Sequence, residues 1–502
     1  MTKARNGLLC LLIAALFAAS LAGCQEDTPA AEDTVQADTE AAETETMPET
    51  EISYVDQLQK TDFAGASFRC YGANTLNGME YATLLQFSIG EQTGESCNDI
   101  LYDRTAYLED FYNVDFAETI EAGNVSSSKV LANIKAGDAA QDMIYGDVAS
   151  FGYSMVLAGG VYPSDMIPGL QLDNPYWSSE MRESLTIGDS YYFPTGAITP
   201  RYYGAAYLLM FNREIVTDMN LPDPQALTKE GKWTIDVMFD MMADAYVDLN
   251  GNGEVDQEDQ IGFGYENLTA ETLILGCGYR YVENENGKMR AAFDNENLVT
   301  LMQWMVQQYQ QDGIILDGAA GIDYGAMVEA GQVLFDSPCT FSMAAYRDFD
   351  YDFGMVPFPK ENEMQDGYIS YAQPWVVTVP YVPVTNTGDT LSMTGTLLDA
   401  MAAYGYEKVQ PVIYDEVIML KNTRDEASSE IVDMLYENVT IELASCIGLG
   451  GFNNKVQQMF TSNLGKTDIT TLYAGSRESI ENFFADLEAQ FADLRAALEA
   501  GQ

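Results

Sequence analysis

The sequence predicts an α/β protein with mainly parallel sheets, divided between two domains. Three observations carry that expectation. Short apolar strand patterns alternate with amphipathic helical patterns at the start of the folded region, the order that builds strand–helix–strand layers. About 440 residues follow an N-terminal leader and linker, more than one hydrophobic core usually organises. Of all 502 residues 47% are apolar, so material for two cores is present.

Residues 1–23 have the layout of a secretory signal peptide, with Lys3 and Arg5 ahead of an apolar run from Leu8 to Leu21. That run is short for a bilayer span. It closes on Leu21-Ala22-Gly23-Cys24, which resembles the lipobox of bacterial lipoproteins. The resemblance implies a mature chain that begins at a lipid-carrying Cys24 and is held at the extracytoplasmic face of the cell membrane. Residues 24–60 then read as an acidic tether. From Gln25 to Ser53 there are ten acids, no base and almost nothing apolar to bury. Such a stretch cannot offset the entropy of ordering, and its like charges keep it extended.

Loss of Lys3 and Arg5 leaves 22 basic residues against 77 acidic ones, a net charge of −55. That field repels phosphate backbones and excludes nucleic acid as a partner. The chain has no histidine. Ser-His-Asp and Cys-His machinery and the H-E-x-x-H zinc motif are therefore absent. A carboxylate pair could still do acid–base work, but among 77 acids no pair stands out, and the chain is read as a non-enzyme. Beyond Cys10 and Cys24 the cysteines are Cys70, Cys97, Cys277, Cys339 and Cys446, odd in number, widely spaced and without C-x-x-C. These read as buried thiols, neither a disulfide scaffold nor a zinc site.

Taken in order, the folded region opens with a strand over 66–71 and the polar turn 72–78. Ser96 and Asp99 form a capping-box pattern ahead of a helix that carries Leu101, Leu108 and Tyr112 at helical spacing. Asn113 ends it and the chain turns back into a strand. A helix over 129–136 leads to an apolar strand that ends in the corner Gly146-Asp147. Parallel sheets bind ligands beyond the carboxyl ends of their strands, which places Asn74 and Asp147 near a ligand.

Several segments carry a family resemblance. Gly94-Glu95-Ser96-Cys97-Asn98-Asp99-Ile100-Leu101-Tyr102-Asp103-Arg104 followed by Glu109-Asp110-Phe111-Tyr112-Asn113-Val114, then Pro175-Tyr176-Trp177, Leu209-Met210-Phe211-Asn212-Arg213-Glu214, Phe353-Gly354-Met355-Val356-Pro357-Phe358-Pro359-Lys360 and Ala427-Ser428-Ser429-Glu430 occur in the order found in bacterial extracellular solute-binding lipoproteins of the family 1 type. The resemblance implies a two-lobed, type II periplasmic-binding-protein-like fold with a hinge and an interlobe ligand cleft. It divides the chain into lobe 1 at 61–198 and 374–420 and lobe 2 at 199–373 and 421–502, with crossings near 192–203 and 373–380. Sugars need aromatic platforms beside short polar groups. The candidate platforms are Trp177, Tyr202, Tyr203, Tyr346 and Trp375, with Asn74, Asp147, Arg201, Arg347 and Gln373 as hydrogen-bonding partners, whereas Trp233 ahead of a helix over 234–246 reads as structural packing.

One local motif stands apart from the cleft. Asp248, Asn250, Asn252, Asp256 and Asp259 occupy positions 1, 3, 5, 9 and 12 of an EF-hand-like loop, with Gly253 at 6, a backbone carbonyl from Glu254 at 7 and Val255 at 8. Asp259 is one methylene shorter than the usual glutamate. Ile261-Gly262-Phe263-Gly264 after it reads as a strand, so a structural calcium is expected, with an acidic surface turn as the alternative. The C-terminal stretch 476–498, with Ile480, Phe483, Leu487, Phe491, Leu494 and Leu498, reads as an amphipathic helix docked on one lobe. The function expected is capture of a small solute, an oligosaccharide first, and its delivery to an ABC permease; a surface-anchored glycoside hydrolase and a glycan-adhesion protein are the alternatives.

Overall fold

The computed structural model describes residues 53–74, 87–122, 126–199, 204–265, 269–317, 322–340, 343, 346, 348–414 and 426–501. β1 (Ala66–Asn74) forms where exposed Ser67 and half-buried Arg69 alternate with buried Phe68 and Cys70. The helix Ser96–Tyr112 follows, but its cap is Glu95 and not Ser96: the Glu95 carboxylate accepts from Asn98 N at 2.9 Å. Asp99 reaches back instead to the amides of Thr93 and Gly94. Asn113 closes the helix at φ 48°, a left-handed conformation asparagine tolerates, and feeds β2 (Val114–Ala122). Ser126 caps the helix Ser127–Lys135, which leads to β3 (Met143–Asp147).

Further along come β4 (Leu209–Asn212), β5 (Ile261–Tyr265), β6 (Val282–Glu285), β7 (Lys288–Ala291), β8 (Ile315–Asp317), β9 (Val333–Asp336), β10 (Phe353–Val356), β11 (Ser370–Tyr371), β12 (Thr378–Tyr381) and β13 (Val439–Thr440). They make two main sheets, ordered β12-β3-β1-β2 and β10-β4-β9-β5-β8. In the first, β1 runs parallel to β2 and β3 and only β12 is antiparallel. In the second, β5, β8 and β9 are parallel and β4 runs against them.

Each sheet is filled on both faces. Phe68, Cys70, Met143 and Tyr145 pack with Leu108 and Tyr112 and with Leu397, Leu398 and Met401 of the helix Gly388–Tyr404. Tyr71 and Ile144, one residue out of phase, join Val130, Ile134 and Met155 instead. Around the second sheet, Ile261, Phe263 and Phe335 are buried, and the helix Ile235–Ala245 packs on β5 with Met242 over Gly262. Trp233 is fully buried ahead of that helix and donates its indole N–H to Pro357 O at 2.9 Å, a packing role. Cys70, Cys97, Cys277 and Cys446 are buried, Cys339 is half-buried, and among the described residues the five form no disulfide with one another. No described helix is long and apolar enough to cross a membrane.

The C-terminal helix is longer than its sequence pattern, Ile469–Gly501. It rests on both halves of the molecule. Glu488 accepts from Met289 N of the β6–β7 hairpin at 2.6 Å. Two residues on, Gln490 donates to Leu157 O, then Phe491 packs on Tyr192 and Arg495 pairs with Asp165 at 2.7 Å.

Asp399 is the polar centre of the first half. Only 3% exposed, it accepts from Gln171 N (2.9 Å), Gln171 Nε2 (3.2 Å), the Tyr176 hydroxyl (2.8 Å) and the Trp177 indole (3.0 Å). Removing the acceptor strands the buried Tyr176 and Trp177 donors out of water. Asp399→Ala should cost about 3 kcal/mol of stability in urea unfolding; a loss below about 0.5 kcal/mol, the size of an ordinary surface change, would show that the network is dispensable.

Candidate functional site

The three parallel strands of the first sheet end at Asn74, Ala122 and Asp147, and those of the second at Tyr265, Asp317 and Asp336. Register puts both sets of ends at the segments where the chain passes between sheets. Thr378, the first residue of β12, pairs with Asp147, and Met210, near the start of β4, pairs with Asp336. Between them the segment 205–208 is hydrogen-bonded on both sides. Tyr207 N donates to Tyr371 O (2.8 Å) and Gln373 N to Ala205 O (3.2 Å), while Thr340 N donates to Ala206 O (2.9 Å) and Leu208 N to Pro338 O (3.3 Å). β13 adds a further strand through Ala372 N to Thr440 O at 2.8 Å. Tyr192 and Phe193 lie in the core, and among the described residues the stretch 204–208 makes the passage.

The wall on the first sheet is built by the return segment. Pro374 O accepts from Val148 N (3.1 Å) and Ala149 N (3.2 Å), so residues 373–377 lie across the end of β3. This brings Asp147, Gln373 and Trp375 together. Trp375 is 41% exposed, an unusual state for an indole, with its neighbours held by backbone bonds. Asp147 sits at the strand end but spends its carboxylate on Ser150 N and Phe151 N as the cap of the π-helical turn Val148–Gly152. Gly146 is required beside it, because a Cβ there would lie 2.5 Å from the Phe151 ring.

The wall on the second sheet centres on Asp336, which Tyr324 (2.9 Å) and Tyr346 both approach through their hydroxyls. Tyr324 in turn accepts from Gly264 N at 3.2 Å, and its ring lies where any Cβ at Gly264 would be, 1.5 Å away. Burial pushes the Asp336 carboxyl above its ordinary range, partly offset by the two phenol donors. Tyr346 is half-buried and packs on Phe349 and Phe353.

Trp177 is not a platform in this structure. It is 4% exposed, its indole N–H is taken by Asp399, and it belongs to the first core. Asn74 pairs through its backbone with Ala122 at the strand end. Arg201, Tyr202, Tyr203, Arg347 and Cys24 lie outside the described residues. Asp336 and Tyr324 escaped the sequence reading although Val333-Leu334-Phe335-Asp336 repeats the apolar strand ending in aspartate that marked Asp147.

The EF-hand-like loop joins the helix Ile235–Ala245 to β5 and is closed by paired bonds of 3.0 Å between Val247 and Gln260. Its side chains turn onto its own amides. Asp248 accepts from Gly251 N (2.6 Å) and Gly253 N (2.9 Å), Asn250 from Asn252 N (2.9 Å), Asn252 from Glu254 N (2.6 Å) and Asp256 from Glu258 N (2.8 Å). Asp259, fully buried, accepts from Leu249 N and Asp256 N, both at 3.1 Å. The bond from Glu258 N, aided by Asn252, holds the Asp256 carboxyl below its usual range. Among the described residues no three Asp, Glu or Cys side chains are gathered as a metal-holding group. The oxygen-rich donor set suits a hard cation, which would have to draw these carboxylates together.

No protein-family model matches the chain, and no curated protein matches it. Solved structures do. The ABC substrate-binding protein Lmo0181 of Listeria monocytogenes, in complex with cycloalternan, is similar at 11% identity with a TM-score of 0.53, over 84% of this chain and 99% of that one. UspC of M. tuberculosis is similar at 14% identity and a TM-score of 0.53, over 83% and 99%. A sugar transporter of Rhizobium etli in an open conformation gives 13% identity and a TM-score of 0.53, over 87% and 100%. The chain has the fold of these proteins, a type II periplasmic-binding arrangement of two α/β lobes joined by crossing strands.

Proposed function

We propose that this protein captures a small neutral oligosaccharide between its lobes and passes it to an ABC permease, with no bond chemistry of its own. The observation that carries this reading is the exposed Trp375, fixed against the end of β3 on the segment that returns between the sheets. An indole face held there suits the apolar C–H face of a sugar ring. The fold supports it, since the Listeria protein of the same fold is in complex with cycloalternan. A chain with 24 basic residues against 77 acidic ones also favours a neutral polyhydroxylated ligand over an anionic one. If the lobes close on the ligand, affinity includes the cost of populating the closed form.

A panel of linear and cyclic oligosaccharides, peptides and polyols tested by calorimetry and thermal shift should yield a saccharide that raises Tm. Trp375→Ala should weaken that saccharide about tenfold or more, some 1.4 kcal/mol, while leaving Tm without ligand unchanged. Equal affinity in the variant would remove Trp375 from the site, and release of shorter sugars would replace transport by hydrolysis.

The proposed anchor is lipid on Cys24, reached through the acidic tether 24–60. In cells labelled with a palmitate analogue the intact chain should carry label and sediment with membranes, and Cys24→Ser should abolish the label. An unlabelled intact chain would refute the anchor. We also propose that the loop 248–259 takes one calcium as a staple of the second lobe. Calcium should then raise Tm in the wild type and not in Asp248→Asn/Asp256→Asn; an unchanged wild-type Tm would leave the loop a plain acidic turn.

A further inference from the structure

Glu271, on the helix Thr269–Gly276, is 2% exposed and sits where four elements meet beside the crossing strands. Its Oε1 accepts from the Tyr371 hydroxyl at 3.2 Å and from Ser445 Oγ. Tyr371 is the β11 residue whose carbonyl holds Tyr207 N of the outward crossing. Ser445 lies on the helix Leu443–Ile447, which packs on the π-helical turn capped by Asp147. Asn453 of the helix Phe452–Met459 faces the same carboxyl. Two acceptor atoms in this cluster are buried without a partner, Glu271 Oε2 and Asn453 Oδ1. A charged carboxylate oxygen buried without a partner costs free energy that a neutral carboxyl avoids.

We propose that Glu271 is held as a neutral acid in the folded chain, and that losing this proton loosens the junction through which the two lobes are joined. The surroundings favour the neutral form. The second buried carboxylate, Glu442, acts on Glu271 from the N-terminus of the helix Leu443–Ile447, where it accepts from Tyr281 N and Ala444 N at 2.9 Å. Other titratable groups facing the cluster are the buried Tyr371 and Cys446, with Tyr207 stacked on Tyr371 at 6.0 Å. Among the described cations, Arg280 acts on Glu442. Burial first and Glu442 second push the Glu271 carboxyl up to about 7, against the donors Ser445, Tyr371 and Asn453.

A raised carboxyl means that the folded chain keeps a proton which the unfolded chain has released. Stability therefore falls as pH rises from about 4.5 to about 7 and levels off above that. The proposal does not depend on which solute is bound.

The test is Tm of the full chain from about pH 5 to about pH 8, wild type against Glu271→Gln. The variant side chain is neutral at every pH, so its Tm should gain a few degrees on the wild type across the series; a gap independent of pH overturns the proposal. Ser445→Ala removes a donor to the carboxylate form and keeps Glu271. Its inflection should move to higher pH, a shift that mere packing loss does not produce, and an unmoved inflection also overturns it. Hydrogen exchange at the Tyr207 and Ala372 amides, corrected for intrinsic rate, should rise above about pH 7 in the wild type alone; equal rates in the Gln variant would refute the loosening.

Discussion

The short strand 205–208 is the constraint on which the rest depends. It is bonded on one side to 371–373 and on the other to 338–340, and β13 extends the ribbon at Ala372. A parallel sheet has all its carboxyl ends on one edge. Passing the chain between two such sheets at that edge brings both sets of strand ends to one place. The bonds from Val148 and Ala149 to Pro374 then fix the return segment against the first sheet, and the pairing of Met210 with Asp336 fixes the second. Trp375, Asp147, Asp336 and Tyr346 all stand where they do because of this ribbon.

A second theme is how so acidic a chain buries its carboxyl groups. With 24 basic residues against 77 acids, few cations can be spared for the interior. Asp399 is met by a phenol, an indole and an amide side chain with a backbone N–H, Asp336 by two phenols, and Glu118 by the Tyr145 hydroxyl with the amides of Phe87 and Ser88. Neutral donors satisfy geometry but offset less of the desolvation than a guanidinium would. Burial accordingly raises Asp336, Asp399, Glu271 and Glu442. The buried cation Arg104 shows the converse. It donates to the carbonyls of Ile198 and Phe87 at 2.9 and 3.0 Å, and burial lowers it to about 10, where it stays charged at neutral pH.

These features bear on motion. Hinge closure needs a joint that bends and walls that do not. The ribbon is short and made of backbone bonds, whereas Gly264 under Tyr324 and Gly146 under Phe151 are rigid close approaches that hold each wall in shape. The C-terminal helix adds a second connection, resting on the β6–β7 hairpin through Glu488 and on Leu157 and Asp165 through Gln490 and Arg495. Relative displacement of the lobes must therefore be accommodated along this helix as well as at the ribbon.

What the sequence determined by itself is whatever neighbouring residues decide. Period-two alternation in Ser67-Phe68-Arg69-Cys70, the helical spacing up to Tyr112, the stop at Asn113 and the Gly-Asp corner are local, and the α/β class follows from their order. The same holds for the Asp248–Asp259 loop, whose chain geometry is written in twelve consecutive residues. Tertiary structure alone decided the site. Trp177 and Trp375 both stand beside proline-containing aromatic runs, yet one meets Asp399, 222 positions away, and is buried, while the other is left 41% exposed. Asp147 and Asp336 both end apolar strands, but a turn of backbone amides takes up the first and two tyrosines from different segments hold the second. Burial and hydrogen-bond partners at such separations depend on how sheets and crossings pack, which no local pattern of residues encodes.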